Sequence, residues 1–207
     1  NGAGKTTLFS LCSSQMHPTK GSIEILGEKL GAVDVFELRP RIGLVGNYVS
    51  TALPDEERVI DVVLTGAYAV LGRWNEKYEL WDESRATALL TIMGVRELAE
   101  RKYFTLSDGE KKRTLIARSL MANPELVLLD EPAAGLNTSE KREIEALIVK
   151  IAKTGITIVL VEHDMKMVMN ISDRIFVLDY GRKLAEGTAQ EVRENPDVIA
   201  AYLGAGA

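Results

Sequence analysis

Four groups of residues in this 207-residue sequence have types and spacings suited to phosphate chemistry. The first is the opening run Asn1-Gly2-Ala3-Gly4-Lys5-Thr6-Thr7. Backbone N–H groups of a glycine-rich turn that leads into a helix N-terminus bind phosphate oxygens, and a bulky side chain there would block the approach. Gly4-Lys5-Thr6 supplies the end of the pattern G-x-x-x-x-G-K-[ST], whose first glycine would fall two residues before Asn1. In that pattern Lys5 reaches the terminal phosphates and the Thr6 hydroxyl ligates Mg²⁺. Alone, the heptapeptide also reads as an ordinary glycine-rich turn before a helix.

The second group is "LVLLDEP", Leu126 to Pro132, an apolar strand that ends in two carboxylates. Asp130 at the strand end suits Mg²⁺ held through water, and Glu131 beside it suits a general base that polarises an attacking water. A strand followed by Asp-Glu is common as a solvated turn; its place downstream of a Gly-Lys-Thr loop favours the chemical reading. The third group is "LSDGE", Leu106 to Glu110, where Ser107 caps a helix and Glu110 closes a capping box. The fourth is "VLVEHD", which sets His163 just after a strand. A histidine so placed is by itself an ordinary surface or core residue.

The elements that must position these groups alternate. A helix is expected over Thr7 to Met16, then short strands at Ser22–Leu26, Arg41–Val45, Glu125–Leu129, Ile156–Val161 and Arg174–Leu178. The later four are short apolar runs, two of them rich in β-branched residues, as in buried strands. Between the second and third lies a stretch, about Ser50 to Lys102, that reads as helices with little strand signal. Ile144, Leu147, Ile148 and Ile151 follow an i, i+3, i+4, i+7 pattern, which predicts an amphipathic helix within Ser139 to Thr154. The expected fold is α/β: a sheet core interrupted by a helical subdomain at about 50–122, all within one domain over 1–207.

Bulk composition narrows the setting. Hydrophobic content of 46% and charged content of 27% are ordinary for a globular domain. The net charge of -5 argues against a nucleic-acid-binding surface, and none is expected. Cys12 is the only cysteine, which excludes an internal disulfide and a cysteine zinc cluster and suits a reducing cytoplasm. No apolar run approaches the roughly 20 residues of a spanning helix, so membrane association has to come through a partner.

Leu-Ser-x-Gly-Glu, followed about 20 residues on by "LLDEP" and then by "VLVEHD", closely resembles the signature set of ATP-binding-cassette ATPases. The resemblance covers essentially the whole chain. It implies a P-loop NTPase sheet core with an inserted helical subdomain, ATP and Mg²⁺ as ligands, and hydrolysis of ATP to ADP and phosphate. A guanine nucleotide is not expected, because no Asn-Lys-x-Asp stretch is present. It also implies head-to-tail pairing with a second ATPase subunit. Asn1 to Thr7 would cradle the chain's own nucleotide, and Ser107 and Gly109 would contact the partner's γ-phosphate. His163 would touch the γ-phosphate in cis, Glu131 would orient water, and Thr6 and Asp130 would hold the metal. The helical subdomain would couple to transmembrane permease subunits, which places the chain on the cytoplasmic face of the plasma membrane.

Two positions depart from the family pattern. "IGLVGN" puts Asn47 where glutamine touches Mg²⁺ and water, and "AAGLN" puts Asn137 where aspartate is common. Asn47 keeps the amide on a shorter arm, and Asn137 suits the cap of the helix that begins near Ser139, with Glu140 at the capping-box spacing. The C-terminal part, with "LDYGRKLAEGT" and "AYLG", resembles ATPases of branched-chain amino-acid importers. The front part, with "RIGLVGN" and "VIDVVLTGAY", is more like the photorepair or molybdate-type group. A divergent natural protein and a join of two relatives near "LLDEPAAGLN" both fit that mosaic. Three functional readings stand: an importer ATPase, a soluble ATPase without membrane subunits, and a catalytically incomplete interaction module. A loop that begins at Asn1 suggests a piece of a longer cassette and leads us to expect weak nucleotide affinity.

Overall fold

The computed structural model describes residues 4–73 and 77–203. They fall into two compact units, Phe9–Val161 and the described part of Asn1–Leu8 with Glu162–Ala207. Helix α1 (Lys5–Cys12) opens the chain. It stops four residues before the expected Met16 because Ser14 takes a left-handed φ of 58°. The Gln15 amide then bonds the Ser10 carbonyl and the Ser14 amide the Leu11 carbonyl, a pairing that satisfies the orphan carbonyls of a helix end.

The expected strand over Ser22–Leu26 shrinks to β1 (Glu24–Ile25), paired antiparallel with β2 (Glu28–Lys29). Leu26 and Gly27 both have positive φ, the turn geometry that matches the twist of a two-residue hairpin. After α2 (Val35–Leu38), capped by Asp34, come β3 (Ile42–Val45), α3 (Asn47–Ala52), α4 (Val59–Leu64), α5 (Leu80–Ile92) and α6 (Asp108–Ser119). Next are β4 (Leu126–Asp130), α7 (Thr138–Ala152) and β5 (Thr157–Val161).

Strands β3, β4 and β5 form a parallel sheet in that order, with Val45 opposite Leu129 and Asp130 opposite Val161. β4 is central, and Leu126 to Leu129 are all buried, as expected of a parallel strand covered on both faces. Phe9, Ile25, Leu38, Ile42, Leu126 and Leu128 form a core on one side of it. Each such side chain stabilises the fold by about 1.5–3 kcal/mol on burial. α7 follows the predicted periodicity: Ile144, Ile148 and Ile151 are buried and Leu147 is half-buried.

From α3 to α6 the regular elements among the described residues are helices, apart from one isolated bridge between Arg58 and Lys102. Asp61, buried on α4, pairs with both Arg58 and Arg73. Arg85 of α5 donates to the carbonyls of Met121 and Leu120 at 2.8 and 2.9 Å, so it closes the C-terminal end of α6. Thr114 through Ser119 of α6 are all buried, and the helix packs on α4, α5 and β3.

In the other unit, α8 (Met165–Ile171), β6 (Ile175–Asp179), β7 (Arg182–Gly187) and α9 (Ala189–Glu194) surround a small core of Ile175, Val177, Ala185, Val192 and Val198. The strand predicted at Arg174–Leu178 is therefore half of an antiparallel hairpin with β7, turning at Tyr180–Gly181.

Candidate functional site

The carboxylates Asp130 and Glu131 lie where β4 ends, and the turn around them is tightly made. Gly46 follows β3, the neighbouring parallel strand, and a Cβ on it would sit 2.9 Å from the Cβ of Asp130. Only glycine permits that approach; with Val45 opposite Leu129, Gly46 stands level with Asp130, and Asn47, the first residue of α3, follows one residue on. Glu131 has a left-handed φ of 49°, which costs a non-glycine residue about 1–3 kcal/mol. Its amide donates to the Val161 carbonyl at 2.9 Å. Its carbonyl accepts from the Ala134 amide at 3.2 Å and from Lys112 Nζ at 2.8 Å. A hydrogen bond from a charged donor contributes about 1.5–3 kcal/mol, enough to offset the strain.

Ser107 caps α6 as the sequence predicts. Its hydroxyl accepts from the Glu110 amide at 3.3 Å and donates to Glu110 Oε2 at 3.0 Å, and its amide donates to that same oxygen at 2.8 Å. The Ser107 amide, then its hydroxyl, and the charges of Arg101 and Arg113 hold the Glu110 carboxyl below the usual range. Ser107 is exposed, and the α6 N-terminus it caps carries the partial positive charge that favours phosphate. Gly109, the second residue of α6, is buried: a Cβ there would lie 3.0 Å from Glu140 Oε1. Glu140 belongs to the second predicted cap. Asn137 Oδ1 accepts from the amides of Ser139 and Glu140 at 2.9 and 3.0 Å, and Glu140 Oε2 accepts from the Asn137 amide at 2.9 Å. Arg113 of α6 pairs with Glu143 of α7. α6 is thus fastened to the segment after β4 at three places.

Asn47, Asp130, Glu131, Ser107 and Gly109 all belong to the unit Phe9–Val161. Gly4, Lys5, Thr7 and His163 belong to the other. There, Gly4 has a φ of 78° and its carbonyl accepts from the Leu8 amide at 2.9 Å, so the helix grows directly out of the glycine. Lys5 is half-buried and Thr7 exposed. His163 is exposed, its amide donates to Glu162 Oε2 at 3.1 Å, and Asp164 after it caps α8 by accepting from the Met167 amide. Asn1, Gly2, Ala3 and the side chain of Thr6 lie outside the described residues. The Asp130 carboxylate and the Asn47 amide oxygen are hard oxygen donors on neighbouring strand ends, the donor chemistry that suits Mg²⁺.

Sequence reasoning missed Lys112, Arg113 and Arg118. Lys112 sits three residues after Gly109, so it shares a helix face with the glycine; that spacing was the available signal. Arg118 carried none. It is buried and donates to Thr65 Oγ1 and to the Val70 carbonyl, and burial draws its guanidinium down to about 10. It lines a cavity of about 190 Å³ with Arg39, Tyr48, Val49 and Leu71, just beyond Asn47.

Comparison with known proteins identifies the family and the fold. Residues 1–134 match the family model of the ABC transporter, and residues 182–207 match that of the branched-chain amino acid ATP-binding cassette transporter. The high-affinity branched-chain amino acid transport ATP-binding protein LivG of Salmonella typhimurium is 40% identical over 99% of this chain and 84% of its own length. That match runs through "LLDEPAAGLN", the stretch at which a join of two relatives would fall. A nucleotide-free ATP-binding cassette from an ABC transporter superposes with a TM-score of 0.83 at 25% identity, over 99% of this chain and 85% of that one. A dimeric cassette in a post-hydrolysis state bound to ADP and Pi gives 0.77 at 25% identity, over 90% and 81%. Two family models, a relative aligned end to end and the shared α/β architecture agree: the chain belongs to the ABC transporter family, as an ATP-binding and ATP-hydrolysing cassette.

Proposed function

We propose that this cassette powers an importer of a small solute such as a branched-chain amino acid, by closing and opening a dimer around ATP. The observation that carries the reading is the joint between two motifs. Helix α6, which Ser107 caps, is fastened by Lys112 to the Glu131 carbonyl at the end of β4 and by Arg113 to Glu143 of α7. A site that binds one nucleotide through its strand ends and a second through that helix end needs this construction. In the proposed reaction Glu131 takes a proton from water as its oxygen attacks the γ-phosphorus and the bond to ADP breaks. Asn1 to Thr7, with Lys5, hold the phosphates, His163 contacts the γ-phosphate, and Ser107 and Gly109 close on the partner's nucleotide. Thr6, Asp130 and Asn47 would hold Mg²⁺, which neutralises phosphate charge when bound.

The partners are a second cassette, head to tail, and transmembrane permease subunits. Through those permease subunits the cassette sits peripherally on the inner face of the membrane; none of its described helices is long and apolar enough to cross a membrane. The helical subdomain at about 50–122 carries the coupling. The cavity lined by Arg39, Tyr48, Val49, Leu71 and Arg118 supports that assignment, since it offers a mixed polar and apolar lining with two arginines near Asn47.

Mg-dependent ATP hydrolysis measured across protein concentrations, beside Glu131→Gln, tests the reading. Activity that rises more steeply than protein concentration and is lost in the variant is expected. Hydrolysis unaffected by Glu131→Gln would remove Glu131 from the reaction.

A further inference from the structure

We propose that Lys112 is a positioning residue that ties the signature end of α6 to the backbone of Glu131 within one chain. The inference rests on the reading of Glu131 as general base and of Ser107 as a contact to the partner's nucleotide. Lys112 Nζ donates to the Glu131 carbonyl at 2.8 Å. The same carbonyl accepts from Ala134, and the Glu131 amide is held by Val161. The peptide groups on both sides of the Glu131 Cα are therefore fixed while φ is left-handed. The direction in which its side chain leaves the backbone follows from that conformation. Of these holding groups, Lys112 alone comes from α6.

The helix itself moves with the site. Gly109 lies against Glu140, and Arg113 pairs with Glu143, so α6 and the start of α7 shift together. Nucleotide engaged at Ser107 pulls on α6, and Lys112, about one helical turn behind Gly109, carries that displacement to Glu131. The base that serves the chain's own nucleotide thus senses occupancy of the partner's site. The arm must be long enough to carry a donor from the helix to a backbone carbonyl of the turn.

The test uses the full chain with Lys112→Met, which keeps length and removes the donor, and Lys112→Gln, which restores one. Two readouts are taken: steady-state ATP hydrolysis, and amide hydrogen exchange of the segment 130–137 without nucleotide. For Lys112→Met the expected result is a kcat lowered about tenfold with KM for ATP unchanged. Exchange at Ala134 should quicken about tenfold while exchange in β4 does not. Lys112→Gln should recover most of both. Equal exchange in all three proteins, or a loss that glutamine fails to repair, would overturn the proposal. A parallel rise in KM would also overturn it, as the mark of general damage. Should wild type and Glu131→Gln hydrolyse ATP alike, the reading of Glu131 as base fails, whereas the exchange data still decide whether Lys112 fixes the turn.

Discussion

Gly46 and Asp130 touch across two neighbouring parallel strands, and the contact leaves no room for a methyl group: a Cβ on Gly46 would lie 2.9 Å from that of Asp130. The φ of Gly46 is 170°, an extended conformation open to any residue, so space and not backbone freedom demands the glycine. Because the obstacle is a Cβ fixed to a strand, it cannot swing aside. Gly46→Ala should push Asp130 and Asn47 apart, costing about 1–3 kcal/mol of stability as an overpacked site. ATP hydrolysis should fall at least tenfold more than nucleotide binding does, because the residues displaced are the proposed Mg²⁺ ligands. Mg²⁺ titration of hydrolysis, beside a denaturant melt, checks it; an unchanged Mg²⁺ requirement would contradict the placement of Asn47 and Asp130 around one ion.

Asn137 stands where the family commonly has aspartate, and the structure gives it a helix cap. Its side chain accepts from two amides at the start of α7, and Glu140 returns the bond. Aspartate offers the same acceptor. Asn137→Asp should therefore leave stability within about 0.5 kcal/mol, while Asn137→Ala should lose about 1 kcal/mol. Urea unfolding midpoints measure both. An alanine variant as stable as the wild type would mean that α7 does not depend on this cap.

Those two caps were legible in the sequence because a capping box is local: Ser107 with Glu110 and Asn137 with Glu140 each lie three residues apart. The three parallel strands and the buried stripe of α7 were legible for a similar reason, since burial on one or both faces leaves a periodic or continuous apolar run. What failed was of two kinds: tight turns that the apolar pattern does not announce, and side chains whose acceptors lie far along the chain. β7 was not expected, because only Leu184 and Ala185 in "RKLAEG" are apolar; its pairing with β6 is set by the Tyr180–Gly181 turn instead. The Ser22–Leu26 strand was cut short by the turn at Leu26–Gly27. Lys112, Arg113 and Arg118 read as surface charge on a helix, and only the packed structure gives each its acceptor.

The cap at Ser107 also sets a pH dependence. The Glu110 carboxyl is held below its ordinary value chiefly by the Ser107 amide, then by the Ser107 hydroxyl and the charges of Arg101 and Arg113. A carboxyl lowered in the folded state stabilises that state fully above its unfolded value, about 4.3 for glutamate. The contribution is then lost as pH falls through the folded value. Near pH 7 the ionised Glu110 should therefore make wild type more stable than Glu110→Gln, whose neutral amide accepts more weakly. As the solution is acidified below about pH 4 the wild-type carboxyl becomes neutral as well, and the two stabilities should converge. Glu125, Glu186 and Glu191 are lowered too, so both proteins weaken in acid, and only the difference between them isolates Glu110. Denaturant midpoints at neutral and acid pH provide it. A difference that stays constant across that range would show that the ionised carboxylate is not what holds Ser107.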